Sequence, residues 1–143
     1  MLLKHSTKPS RRRKAVATAE LAILLPVLVT LFVGVVDFAR VFYYAMTVTN
    51  CARNGALWLC DPVNATQSQY TTLQQAATAD APNLSPTPNV TSTNGTDANG
   101  EPYVEVTVTY DFKTVSGFPL FPSPFTLTKT VRMRTIQLIP NFP

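Results

Sequence analysis

Between Lys14 and Asp37 lie 22 residues of which one, Glu20, is charged, and Leu21 to Val36 carries no charge at all. As a helix, 22 residues extend ~33 Å, against a bilayer hydrocarbon thickness of ~30 Å. This run predicts a membrane span and leaves only the remainder of the chain for a globular fold. Six of the 12 Lys and Arg residues (Lys4, Lys8, Arg11, Arg12, Arg13, Lys14) precede it, with no acid among them. A basic head could contact nucleic acid or anionic lipid. Directly before an apolar run it acts as a cytoplasmic retention signal, so the C-terminal part is predicted to lie outside the cytoplasm. Membrane lipid is thus an expected partner and nucleic acid is not. From Phe38 onward six basic residues meet six acidic ones, so the exported part is close to neutral.

A cleaved secretory signal also joins a basic region to an apolar one, but its apolar part usually spans 7–15 residues and ends in small residues. Here bulky aromatics follow instead: Phe38, Phe42, Tyr43 and Tyr44. They predict an aromatic belt at the far interface, and an uncleaved anchor. Asp37 and Arg40, three apart on a helix, can pair at that level.

The divisions read from composition are a basic leader at 1–14, a membrane helix at 15–44, an exported helical and linker region at 45–88 and a small β region at 89–143. Ala45 to Leu59 continues as helix, with Gly55 and Pro62 as stop signals, and Thr66 to Ala79 forms one further short helix. Pro82, Pro86 and Pro88 end helical character. In "EPYVEVTVTYDF" the residues Val104, Val106, Val108, Tyr110 and Phe112 alternate with Glu105, Thr107, Thr109 and Asp111, the pattern of a half-buried strand. "FTLTKTVRMRTIQ" gives a second strand, with Phe125, Leu127, Val131 and Met133 on one face and Thr126, Thr128, Arg132 and Arg134 on the other. "NVTST" supplies a third, joined through the turn-rich "NGTDANGE", and the Pro-rich "SGFPLFPSPF" is predicted to fold over the sheet. The fold class is α+β: a long N-terminal transmembrane helix, then a small exported domain with a short helix and a three-stranded antiparallel meander.

No catalytic set stands out in the exported part, and neither an enzyme nor a cofactor or metal is predicted. The single histidine, His5, lies in the leader, and the acids are scattered over turns and strand faces. Asn64, Asn89 and Asn94 each open a glycosylation triplet in a chain rich in Asn and Thr. On one continuous helix Cys51 and Cys60 would stand ~13 Å apart, beyond the ~7 Å limit for a disulfide. A bridge therefore requires a break near Gly55, and the sequence leaves bridge and free thiols as alternatives.

Glu20 is the residue whose physics asks for an account. A charged side chain at the bilayer centre costs ~2.5–3.5 kcal/mol on insertion scales. Either it snorkels to the inner interface, or a partner neutralises it within an assembly of packed helices.

The stretch "ATAELAILLPVLVTLFVGVVDFARVFY" resembles the N-terminal signature of TadE-like proteins, minor pseudopilins of the tight-adherence (Flp-type) pilus. That family shows a basic leader, then Glu, a Phe or Leu, Ala, and a Pro six positions after the Glu. An apolar run closes on an acid–aromatic–small–Arg motif. Glu20, Leu21, Ala22, Pro26 and the series Asp37, Phe38, Ala39, Arg40 hold those places here. The resemblance implies a structural pseudopilin-like subunit in a bacterial inner membrane, N-terminus cytoplasmic, assembled through its membrane helix with other pilin subunits and the Tad secretion machinery. It also implies a prepilin-type peptidase cutting five residues before the Glu, between Ala15 and Val16. A neighbouring subunit's freed α-amino group would then be a partner for Glu20. Alanine where the family has glycine is a departure, which leaves a processed subunit and an uncleaved anchor as alternatives. The competing reading from another class is a membrane-tethered envelope binding module that uses its Thr-rich sheet and has no pilus role.

Overall fold

The computed structural model of the chain describes residues 11–113 and 124–136. The leader residues Lys4, Lys8 and His5, and most of the Pro-rich loop, lie outside them. Helix α1 runs unbroken from Arg11 to Cys60, 50 residues, or ~75 Å at 1.5 Å per residue. Two short helices follow, α2 (Pro62–Gln67) and α3 (Leu73–Thr78), and then strands β1 (Asn89–Thr96), β2 (Pro102–Phe112) and β3 (Phe125–Arg134). The strands form one antiparallel sheet in the order β1-β2-β3, the expected α+β architecture.

The two halves of α1 live in different surroundings. Every side chain from Arg13 to Val33 is exposed. From Val41 the helix turns a stripe of small and medium residues onto the sheet, with Val48, Cys51, Ala52 and Ala56 at its buried centre. Across from them stand Val104, Val106, Val108, Tyr110 and Phe112, all buried, as the alternation of β2 predicts. In β3, Leu127 is buried and Val131 and Met133 pack at the margin, but Phe125 is 40 % exposed at the strand's start. Hydroxyls on α1 are satisfied within the helix: Thr30 Oγ1 donates to the Pro26 carbonyl at 2.8 Å and Thr49 Oγ1 to that of Ala45 at 2.7 Å.

Gly55 does not stop the helix. It is buried, and a Cβ there would stand 3.1 Å from Val106 Cγ1 and 3.2 Å from both Ala77 Cβ and Leu73 Cδ1. The glycine lets α1, α3 and β2 approach closely. The stop comes at Asp61–Pro62, where proline lacks an N–H and disfavours helical backbone before it. Asp61 Oδ1 then accepts the Val63 N–H at 3.0 Å and opens α2. Since α1 is continuous, the condition for a Cys51–Cys60 bridge fails, and both cysteines are free and buried. Burial first, and then the Asp80 carboxylate, raises the Cys51 thiol above its ordinary pKa. Gly55→Val is expected to destabilise the domain by about 1–3 kcal/mol through overpacking, read as a lower urea midpoint. Gly34→Ala, with nothing within 4 Å of the new Cβ, should leave that midpoint unchanged.

The single short helix expected over Thr66 to Ala79 is two helices. Local side-chain bonds break it: Ser68 Oγ accepts the Trp58 indole N–H at 2.9 Å and the Tyr70 N–H at 3.3 Å. Thr72 restarts the helix by accepting the Gln75 N–H at 3.2 Å. Strand β1 also outruns its expected end, continuing through Asn94, Gly95 and Thr96 to pair with Val104, Tyr103 and Pro102. Here the Asn-Gly dipeptide is strand, not turn. Tyr103 covers Gly95 so closely that a Cβ would fall 2.6 Å from the ring, and Arg132 stacks on the same ring at 4.1 Å. The turn itself is Asp97 to Glu101, with Gly100 at φ +83. Asp97 Oδ1 accepts the Asn99 and Glu101 N–H groups, each at 2.9 Å, and the Glu101 bond is the main cause of its lowered pKa.

Candidate functional site

The residues singled out by sequence fall into two groups along α1. Ala15, Val16, Glu20, Leu21 and Ala22 lie on the exposed arm, followed by Pro26, which sits inside the helix. Glu20 shares a shallow surface depression with Arg13, Val16 and Ala17, which lie seven, four and three residues before it on one helix face. Among the described residues no cation pairs with Glu20. Beyond Lys14 the arm presents one acid on a largely apolar rod, and among the described residues nothing covers it.

The second group sits where the arm meets the domain. Asp37 is 3 % exposed although Phe38 beside it is 64 % exposed. Arg40 Nη1 stands 3.7 Å from Asp37 Oδ1, so the expected pair forms. Its surroundings are not those of a simple interfacial pair, because the Arg40 guanidinium also faces the Phe112 ring at 5.3 Å and the Tyr44 ring at 5.9 Å. Tyr44 packs on Phe112 and Tyr110, with ring centroids 5.1 and 5.6 Å away. The four-residue aromatic belt therefore divides. Phe38, Phe42 and Tyr43 stay exposed, while Tyr44 belongs to the domain core margin. Helical geometry accounts for this, since Tyr44 shares its face with Val41 and Val48, which lead onto the sheet. Tyr110 donates its hydroxyl to the Ser85 carbonyl at 3.3 Å, and burial raises its pKa.

Together Asp37, Arg40, Tyr44 and Phe112 form a clasp that fixes where the apolar arm leaves the sheet. Sequence reasoning found the Asp37–Arg40 half from spacing. It missed the Tyr44–Phe112 half, for which the only available signal was that Tyr44 continues the helical stripe of Val48 and Ala52.

A third region is the outer face of the sheet, where Thr107 and Thr130 hydroxyls pair at 2.8 Å. Arg132 donates from Nε and Nη2 to Glu105 Oε2 at 2.9 and 2.8 Å, and this bonding raises the pKa of the guanidinium. These groups satisfy one another and leave a polar, internally paired surface. No group of three or more His, Cys, Asp or Glu with metal-binding geometry occurs among the described residues.

Against known families, residues 15–57 match the model of the TadE-like protein family. The matched segment begins at Ala15 and covers the apolar arm, the helical members of the clasp (Asp37, Arg40 and Tyr44, but not Phe112) and most of the helix stripe under the sheet. No curated protein and no solved structure matches the chain significantly.

Proposed function

Because the chain is TadE-like over residues 15–57, we propose that it is a structural, pseudopilin-like subunit of a Tad-type pilus or secretion apparatus, assembled through α1. The observation that carries this reading is the arm itself. Its side chains from Arg13 to Val33 are all exposed, and Leu, Val, Ile and Phe dominate it. Apolar surface of that extent on one helix belongs in lipid or against other helices. The helix passes without interruption into the core at Val48, Ala52 and Ala56. Cleavage near the end of the apolar run would cut a helix the domain uses, which favours an anchor over a removed signal. The basic leader stays in the cytoplasm and the sheet lies outside.

Glu20 is the assembly residue in this reading, neutralised by a cation on a neighbouring helix. Prepilin-type processing between Ala15 and Val16 would supply such a cation as a new α-amino group. Intact mass of the membrane-extracted protein tests this step. Ala15→Gly is expected to preserve or increase the shortened species, and Ala15→Leu to abolish it. A full-length mass for all three forms would contradict processing and leave a permanently anchored subunit. The assembly claim is tested by recovering the full chain from its native membranes in mild detergent and identifying what accompanies it. Tad pilus components are expected. Their absence, with the chain itself intact and folded, would favour the tethered binding module instead.

A further inference from the structure

At the clasp lies a cleft of about 620 Å³, walled by Arg40 and Tyr44 from α1, by Asp111 and Phe112 from the end of β2, and by Lys113 just after it. Assembly through the arm gives it no role. Among the described residues, Arg40 Nη1 is a buried side-chain nitrogen with no hydrogen-bond acceptor. Asp37 Oδ1, at 3.7 Å, is beyond hydrogen-bond range. The Arg40 side chain as a whole is 35 % exposed and lines the cleft, so it can offer a charged donor to an acceptor oxygen there.

Its depth narrows the choice. The uncharged run ends at Val36, and Arg40 follows four residues later, ~6 Å further along the helix axis. The hydrocarbon core is ~30 Å thick and the whole bilayer ~40–45 Å, which leaves a headgroup layer of roughly 5–7 Å on each side. Arg40 therefore stands within the layer of lipid phosphates. The charged residues that line the cleft are two cations, Arg40 and Lys113, and one acid, Asp111. Asp111 is exposed and accepts the Thr126 hydroxyl at 2.8 Å. Two cations beside one acid suit a phosphate that carries its own ammonium group.

We propose that this cleft seats the phosphate and ammonium of a zwitterionic phospholipid headgroup, the phosphate on Arg40 and Lys113 and the ammonium toward Asp111. The inference rests on the membrane-anchor reading above. The headgroup would fix the height and rotation of the domain on the membrane surface.

The test uses the full chain in nanodiscs of phosphatidylethanolamine or of phosphatidylglycerol, released into a maltoside detergent for native mass spectrometry. One retained phosphatidylethanolamine is expected, with phosphatidylglycerol retained less. Arg40→Gln and Lys113→Gln should each lower retention by about tenfold or more, the scale of one lost charge-assisted bond. Lys113 is exposed, so its variant reports on binding without disturbing the core. Wild-type retention by Lys113→Gln, equal retention of the two lipids, or no retained lipid on a folded chain would each overturn the proposal. Inorganic phosphate that displaces the lipid at millimolar concentration would point to a soluble phosphate and overturn the lipid source. A chain that fails to enter nanodiscs at all would instead contradict the anchor reading, and this inference with it.

Discussion

Val106→Asp is expected to unfold the sheet domain. Val106 is fully buried, pairs with Ser92 and Val131 in the sheet, and touches the Gly55 approach of α1. A carboxylate there would have no partner, and an uncompensated buried charge costs about 3–5 kcal/mol. That is a large part of the ~5–15 kcal/mol that holds a domain together. Glu105→Lys, one residue away on the outer face, loses the Arg132 pair. Both partners are partly exposed, 57 % and 29 % by side chain, so about 1 kcal/mol or less is at stake. Limited proteolysis of the detergent-solubilised chain should show the first variant cut throughout the sheet and the second resistant. Equal resistance would mean that Val106 does not belong to the core.

That contrast was readable from sequence because strand alternation depends only on neighbours in the chain. β2 was legible residue by residue for this reason, and so was the apolar arm. The misreadings came where distant residues decide. Gly55 has the identity of a helix terminator, yet its position is set by Val106, Ala77 and Leu73, which no local pattern reveals. Asn94-Gly95 has turn chemistry, but the Tyr103 ring needs a residue without a side chain beneath it, and the strand continues. Tyr44 has the composition of a membrane belt, whereas Phe112 draws it onto the sheet. Asp37–Arg40 was visible as an i,i+3 pair. The Phe112 ring over Arg40 was not, because it is brought by β2.

Glu20→Leu is expected to separate two properties that usually move together. Removing an acid from the apolar arm should favour insertion, by up to about 3 kcal/mol at the bilayer centre and by less near the inner interface. Assembly should weaken at the same time. Truncating one member of a desolvated charge pair costs about 2–5 kcal/mol, much of it from the partner left unpaired. Glu20→Gln keeps the shape and some hydrogen bonding without the charge, so it should fall between wild type and leucine. Insertion can be read by alkaline extraction and assembly by recovery of pilus components with the chain. A snorkelling glutamate with no partner predicts the gain in insertion alone. Normal assembly by Glu20→Leu would leave the residue merely tolerated.

In the proposed function the exposed arm of α1 packs against other helices of a Tad-type assembly. The most direct measurement places a photo-crosslinking amino acid at Phe32, which is 70 % exposed on the arm, and irradiates intact cells carrying the full chain. A discrete crosslinked species containing a second pilin-like or Tad-apparatus subunit is expected, diminished in the Glu20→Leu background. Crosslinks to lipid alone, with the chain correctly inserted and folded, would contradict it.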